Sequence, residues 1–226
     1  MYTWTKLLTG ALAVSAVAVA PAWAAPKDKL KVKPDTFIDT VGGLCFDDPP
    51  NPPASPDAAS SNWVNKSGTT STPDTFGNPA DFGLVLTKSV DTPICAAALA
   101  RVEGPEGKTV TPATVFGYSY RNDGHCGAGA PRFNVRVTDG TQQALYVAGC
   151  SSPLPTTAPV NAFWTAATWT PAQFIRLSGD DIDMVGSQIV SVVIVFDEGT
   201  DVGPGEAILD DITFNNLVAG GPAVAK

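Results

Sequence analysis

The chain has 226 residues, of which 44% are hydrophobic and 16% are charged, so it has enough apolar material to bury a sizeable core. Its formal net charge is -8, from 14 basic and 22 acidic residues. Because proteins bind nucleic acids largely through lysine and arginine contacts to phosphate, this balance argues against a nucleic-acid partner. A net negative charge helps to keep a protein soluble, which is consistent with secretion.

Residues 1–24 have the features of a secretory signal peptide. Lys6 lies in a short polar start, the apolar run LLTGALAVSAVAVA follows, and the segment Ala-Trp-Ala at residues 22–24 forms a cleavage site. The apolar run is short for a spanning helix, although an uncleaved anchor is the alternative. We therefore expect a secreted or extracytoplasmic protein with no membrane span once the signal is removed. Residues 25–35 are basic and predict a flexible entry.

Residues 36–216 predict a single all-β domain. Segments such as FGLVLTK and TVFGYSYRN are rich in β-branched and aromatic residues. About nine or ten short strands without a convincing amphipathic helix are typical of an antiparallel β-sandwich or jelly roll. The segment ICAAALARVEG suits a helix or a strand equally well. The proline-rich residues 47–60 predict a surface loop or lid, and residues 217–226 a flexible tail.

Four cysteines follow the signal, and in an oxidising compartment they predict two disulfides. Three pairings are possible, and the nearest pairs, Cys45 with Cys95 and Cys126 with Cys150, are favoured. A zinc site is disfavoured because the spacings are wide and the chain has one histidine.

The glycine-rich segment between Tyr118 and Arg136 is the first candidate for ligand binding. In PRFNVRVTDG, polar residues alternate with apolar ones, so Arg132, Asn134 and Arg136 emerge on one face. Their planar groups suit hydrogen bonds to a sugar or to a carboxylated ligand, and Tyr118 and Tyr120 could stack on sugar rings. A solvated outer strand face is the alternative interpretation.

The sequence holds no complete catalytic pattern. His125, the single histidine, is interpreted as a turn residue beside a disulfide, and no GxSxG motif occurs. In DDIDMVG, Asp181 and Asp183 lack the final acid of the ExDxxE arrangement of jelly-roll glucanases. A polysaccharide lyase would need a base and an arginine that His125, Tyr120 and Arg132 imitate only loosely. We therefore predict a non-catalytic protein.

The C-terminal run of residues 188–214 carries the densest acidic chemistry. Read as an alternating strand, AILDDITF places Asp210 on the core face with Ile208, Ile212 and Phe214. A buried carboxylate is costly unless a cation or donor meets it. Calcium prefers oxygen ligands of this kind, although an acidic solvated hairpin loop is the alternative. We predict structural calcium near Asp39, Asp197, Glu206 and Asp210.

The strand ending in IVFDEGTD and the final strand ILDDITF resemble the C-terminal half of galactose-binding-like β-sandwich domains, including jelly-roll carbohydrate-binding modules. In that group, the first aspartate of the last-strand motif commonly serves a structural calcium, which maps onto Asp210. The resemblance covers about 27 residues, and it implies a fold more than a particular ligand.

Together these patterns predict a secreted, monomeric β-sandwich that binds carbohydrate or another cell-surface ligand. A structural or adhesive envelope protein without a small-molecule site is the alternative. A jelly-roll glycosidase or polysaccharide lyase is less favoured, because hydrolysis needs two opposed carboxylates.

Overall fold

The computed structural model describes residues 29–38, 40, 53–69, 81–91, 94–127, 129–150, 154–198 and 205–222. Within these ranges the chain forms β-strands and one short 3₁₀ turn, Pro171–Gln173, and no α-helix. The strands are β1 (Lys31–Ile38), β2 (Ala59–Asn65), β3 (Phe82–Lys88), β4 (Ala96–Glu103), β5 (Phe116–Arg121), β6 (Arg132–Thr138), β7 (Gln143–Gly149), β8 (Thr156–Pro159), β9 (Trp164–Trp169), β10 (Ile175–Gly179), β11 (Gln188–Phe196), β12 (Gly205–Phe214) and β13 (Leu217–Ala219).

The strands form two antiparallel sheets. The six-stranded sheet has the order β1-β4-β11-β6-β7-β10. The seven-stranded sheet has the order β2-β3-β12-β5-β9-β8, and β13 pairs with β12. Many neighbours are distant in sequence, as in a jelly roll. The predicted all-β antiparallel sandwich is confirmed, and no helix among the described residues is long and apolar enough to cross a membrane.

The alanine-rich segment is strand β4. Ala98, Ala100 and Val102 face the core and are almost completely buried. β4 pairs with β1 on one side and with β11 on the other. These pairings override the helix preference of alanine, because strand formation depends on the neighbours that a side chain packs against.

The core between the sheets is aromatic. The Trp169 ring lies 5.0 Å from the Tyr118 ring and 5.7 Å from the Phe133 ring, centroid to centroid. Trp164 is also fully buried. Trp63 is only partly buried, and its indole N–H donates to the Val32 carbonyl at 3.0 Å. Most of the large rings therefore stabilise the sandwich.

The disulfide between Cys126 and Cys150 is confirmed, and it ties the turn after β5 to the end of β7. The second predicted pair cannot be placed, because Cys45 lies outside the described residues. One disulfide is therefore established. None of the described cysteines is free.

The sandwich extends beyond the predicted boundaries at both ends. β1 begins at Lys31, inside the segment expected to be a flexible entry, and Val32 is 1% exposed. β13 lies in the expected tail, where Ala219 is buried. The apolar pattern is weak at these ends because each contributes only one or two buried apolar residues to the core, Leu30 and Val32 at one end and Ala219 at the other. The predicted signal, residues 1–24, lies outside the described residues.

Candidate functional site

Strand β6 turns its polar side chains away from the core. Arg132 and Asn134 are half-buried, and Arg136 is exposed. β6 lies between β11 and β7, so one face of the strand meets the other sheet and the opposite face forms the outer surface. The predicted alternation is confirmed. The inward side chains, all fully buried, are Phe133, Val135 and Val137.

A shallow groove of about 350 Å³ lies on this outer face of the six-stranded sheet. Asn134 is paired with Val193 of β11, and Arg136 is paired with Ser191 of β11 and Leu145 of β7. Directly opposed residues of antiparallel strands lie side by side on one face. The groove therefore sets an amide, a guanidinium and a hydroxyl among aliphatic side chains. Its remaining lining residues are Phe37, Ala97, Leu99 and Val195.

Arg132 has a structural partner at the end of the groove. Its guanidinium donates two hydrogen bonds to the Asp197 carboxylate, at 2.6 and 2.5 Å. The Arg132 Nε also donates to the Asn134 side-chain oxygen at 3.2 Å. Lys88, which is 1% exposed, donates from Nζ to the Asp197 carbonyl at 2.7 Å. Arg132 therefore orients Asn134 and anchors the end of β11.

Tyr118 and Tyr120 do not join this groove, because they belong to β5 in the seven-stranded sheet. Tyr118 is 2% exposed, and its hydroxyl donates to the Pro131 carbonyl at 2.6 Å. Burial raises the pKa of the Tyr118 hydroxyl well above its usual value. Tyr120 packs partly buried against the same core. Both rings were predicted as ligand contacts on their aromatic character, which core packing uses equally well.

Asp210 is 2% exposed, but it does not lie on the core face of β12. The pairing of β12 with β5 shifts register between residues 210 and 213, and Asp211 has a φ of 46°. An extra residue of this kind reverses the alternation of a strand. Ile212 and Phe214 therefore reach the core, and Asp210 faces outward. The expectation that these three side chains share one face is wrong.

Gly68 and Thr69, in the described part of the connection between β2 and β3, lie against the Asp210 carboxylate. The Thr69 backbone N–H donates to Asp210 Oδ2 at 2.8 Å, and the Asp211 backbone N–H donates to Asp210 Oδ1 at 2.7 Å. Burial nevertheless raises the pKa of Asp210 to about 6, against the opposing effect of these hydrogen bonds. At neutral pH the site thus holds a desolvated negative charge.

Two other carboxylates, those of Asp81 and Asp211, lie close by. A methyl group added at Gly68 would lie 2.2 Å from Asp81 Oδ1 and 2.8 Å from Asp210 Oδ2. Burial, followed by the charge of Asp81, raises the pKa of Asp211, while a hydrogen bond from Ser119 acts in the opposite direction. We call Asp81, Asp210 and Asp211 the aspartate cluster.

Of the predicted calcium ligands that lie within the described residues, neither Asp197 nor Glu206 lies beside Asp210. Asp197 is held by Arg132 at the end of β11. Glu206 is exposed and lies four residues before Asp210 on β12, about 13 Å along the strand at 3.3 Å per residue. Asp39 lies outside the described residues. Across the described ranges, no three His, Cys, Asp or Glu side chains form a ready-made metal site.

Of the residues considered for catalysis, His125 and Arg132 both lie near the Glu198 carboxylate, whereas Asp181 pairs elsewhere, with Arg176. His125 follows the turn after β5, beside the disulfide, as predicted. Its Nε2 is 3.9 Å from Glu198 Oε2, and its ring packs edge-on against Phe196. Burial, followed by the charge of Asp197, raises the pKa of Glu198. Asp181 is exposed and pairs with Arg176.

Both the groove and the aspartate cluster contain residues that the sequence pattern does not indicate. Asp81 and Thr69 lie in a turn-rich region without periodicity, and only the folded chain carries them to Asp210. Ser191 and Leu145 reach the groove through pairings between strands that are far apart in sequence. Only Asp211 could have been found from local sequence, because it directly follows Asp210 in ILDDITF.

No protein-family model and no curated protein sequence matches the chain. Among solved structures, a similar one is a family 11 carbohydrate-binding module from Clostridium thermocellum, determined in complex with a β-1,3-1,4-mixed-linked tetrasaccharide. The two share 12% sequence identity with a TM-score of 0.41, over 88% of this chain and 93% of the module.

Proposed function

We propose that this chain is a secreted, non-catalytic β-sandwich that binds carbohydrate in the groove on the outer face of the six-stranded sheet. The observation that carries the proposal is the placement of Asn134 and Arg136 within a shallow, mostly aliphatic groove. A few placed polar groups among mostly apolar side chains are the usual composition of a ligand-binding site.

The groove has the two kinds of surface that a sugar needs. The Asn134 amide, the Arg136 guanidinium and the Ser191 hydroxyl supply donors and acceptors for ring hydroxyls. Leu145 and Phe37 offer apolar contact for the C–H faces of a sugar ring. Because the groove is shallow, it suits a segment of a chain better than a small molecule that must be enclosed.

We also propose that the aspartate cluster holds a structural calcium ion. The support is the closeness of two of its carboxylates: those of Asp81 and Asp210 both crowd the edge of Gly68, where a larger residue would collide with them. The hydroxyls of Ser119 and Thr69, which hydrogen-bond to Asp211, would add further oxygen ligands of the kind that calcium prefers. A divalent cation would offset the desolvated charge of Asp210.

Secretion and a second disulfide belong to the same proposal. The N-terminal segment has a signal-peptide pattern, and Cys126 with Cys150 already shows an oxidised pair. We propose that Cys45 pairs with Cys95. Non-reducing peptide mapping of the exported protein tests this, and a free thiol at either position would contradict it.

The carbohydrate proposal is tested with immobilised polysaccharides and a glycan array. We expect binding by the folded protein, and we expect Asn134→Ala to weaken it. Asn62→Ala is the matched control, because Asn62 is an exposed asparagine on β2 of the other sheet. A flat array from a protein whose circular dichroism and thermal unfolding show an intact fold would refute carbohydrate binding and favour a structural envelope role.

A further inference from the structure

Arg136 differs from every other arginine of the chain in its pairing. Within the described part of the chain, which includes all five arginines, Arg136 forms no ion pair. Each of the others is paired with an aspartate: Arg101 with Asp35, Arg121 with Asp123, Arg132 with Asp197, and Arg176 with Asp181. The chain has more acidic than basic residues, so an arginine without an acid partner stands out.

The surroundings of Arg136 favour an anion from outside. Arg136 is the only charged side chain among the described residues that line the groove. Its cross-strand neighbours, Ser191 and Leu145, carry no charge that could compete for the guanidinium. The groove is therefore locally positive on a protein whose net charge is -8. A locally positive groove of this kind attracts and orients an anionic ligand.

We propose that the groove selects acidic oligosaccharides, with Arg136 binding the carboxylate of a uronic acid. This inference rests on the carbohydrate function proposed above and specifies its ligand class. A guanidinium and a carboxylate are both planar and form two parallel hydrogen bonds. Asn134 lies two residues before Arg136, about 7 Å along β6, so it reaches a hydroxyl of the same or the next sugar ring. Arg132 cannot compete for the carboxylate, because Asp197 occupies its guanidinium.

The test compares three oligosaccharides of equal length by isothermal titration calorimetry on the full mature chain. They are a galacturonate hexamer, its methyl ester and cellohexaose. We expect the galacturonate hexamer to bind about ten- to a hundredfold more tightly than its ester, the range for hydrogen bonds between charged partners. Added salt should weaken binding of the acid form alone.

Arg136→Gln should remove the preference for the acid over the ester, and Arg136→Lys should keep part of it. Arg176→Gln makes the same change of charge outside the groove and should leave the preference intact. Arg136 is exposed, so these variants should fold, which thermal unfolding checks.

The possible failures are distinguishable. Equal binding of acid, ester and cellohexaose, unaffected by Arg136→Gln, would overturn the inference and leave carbohydrate binding standing. A loss of preference in Arg176→Gln equal to that in Arg136→Gln would show general charge attraction, which also overturns it. No binding of any of the three by the folded protein would contradict the inference, and with a flat array it would refute the carbohydrate function as well.

Discussion

Calcium and pH should act on stability through the same carboxylate, Asp210. Its pKa rises from 3.8 to about 6 on burial. Without a cation, the folded state therefore keeps the Asp210 proton up to a higher pH than the unfolded state does. That rise in the Asp210 pKa, from 3.8 to about 6, corresponds to about 3 kcal/mol. Stability in a chelator should therefore fall as pH rises from about 4 to about 6 and stay low above that range. The raised pKa of Asp211 acts in the same direction.

Calcium should reverse the loss at neutral pH, because it stabilises the ionised carboxylates. A bound ion that offsets about 3 kcal/mol should raise the melting temperature by about 6–12 °C for a domain of this size. At about pH 5 the gain should shrink, because protons compete with the cation for Asp210.

The assay is urea unfolding at about pH 5 and about pH 7.5, each with EDTA or with calcium, followed by tryptophan fluorescence. Asp210→Asn should remove the calcium effect, because it removes the charge that titrates. Asp57→Asn is the matched control, because Asp57 is exposed and lies outside the aspartate cluster. Equal unfolding midpoints with EDTA and calcium at about pH 7.5 would refute a cation at the cluster, as would an equal calcium effect in Asp210→Asn.

Three further predictions concern the sandwich itself. Replacing both Cys126 and Cys150 by serine opens a cross-link with a sequence separation of 24 and should cost about 3.5 kcal/mol in urea unfolding; an unchanged midpoint would contradict it. Tyr118→Phe removes the hydrogen bond to the Pro131 carbonyl and should cost about 1–2 kcal/mol, measured in the same way, while glycan affinity stays constant. Ser61→Ala should be neutral or stabilising by up to about 1 kcal/mol, since the buried hydroxyl has no hydrogen-bond partner among the described residues, and a clear loss of stability would argue against this.

The parts of the fold that follow local rules were predictable from the sequence. The alternation in β6 follows from one face meeting the core, and it correctly placed Arg132, Asn134 and Arg136 on the outer face. The pairing of Cys126 with Cys150 followed from the nearest-pair rule. Both features involve residues that are close together in the chain.

The parts that failed depend on pairings that the sequence does not display. The bulge at Asp211 needs one residue of register shift between β12 and β5, and that shift moves Asp210 from the core face to the outer face. Tyr118 and Arg132 lie on strands that follow each other in the chain, β5 and β6, but these strands belong to different sheets. The composition of the segment between Tyr118 and Arg136 does not show which side chains are buried and which bind a ligand, because aromatic residues suit a core and a sugar-binding surface equally well.

The groove and the aspartate cluster lie on opposite outer faces of the sandwich, and this separates their functions. Two packed sheets are about 10 Å apart, so a cation at Asp210 cannot contact a ligand beside Arg136. We therefore expect EDTA to lower the melting temperature without changing glycan affinity at a temperature where the protein stays folded. Asp210→Asn should likewise leave affinity intact, whereas Asn134→Ala should weaken binding with little effect on melting. If EDTA abolished binding by a protein that circular dichroism shows to be folded, calcium would have to take part in recognition, and the assignment of the ligand to the outer face of β6 would be wrong.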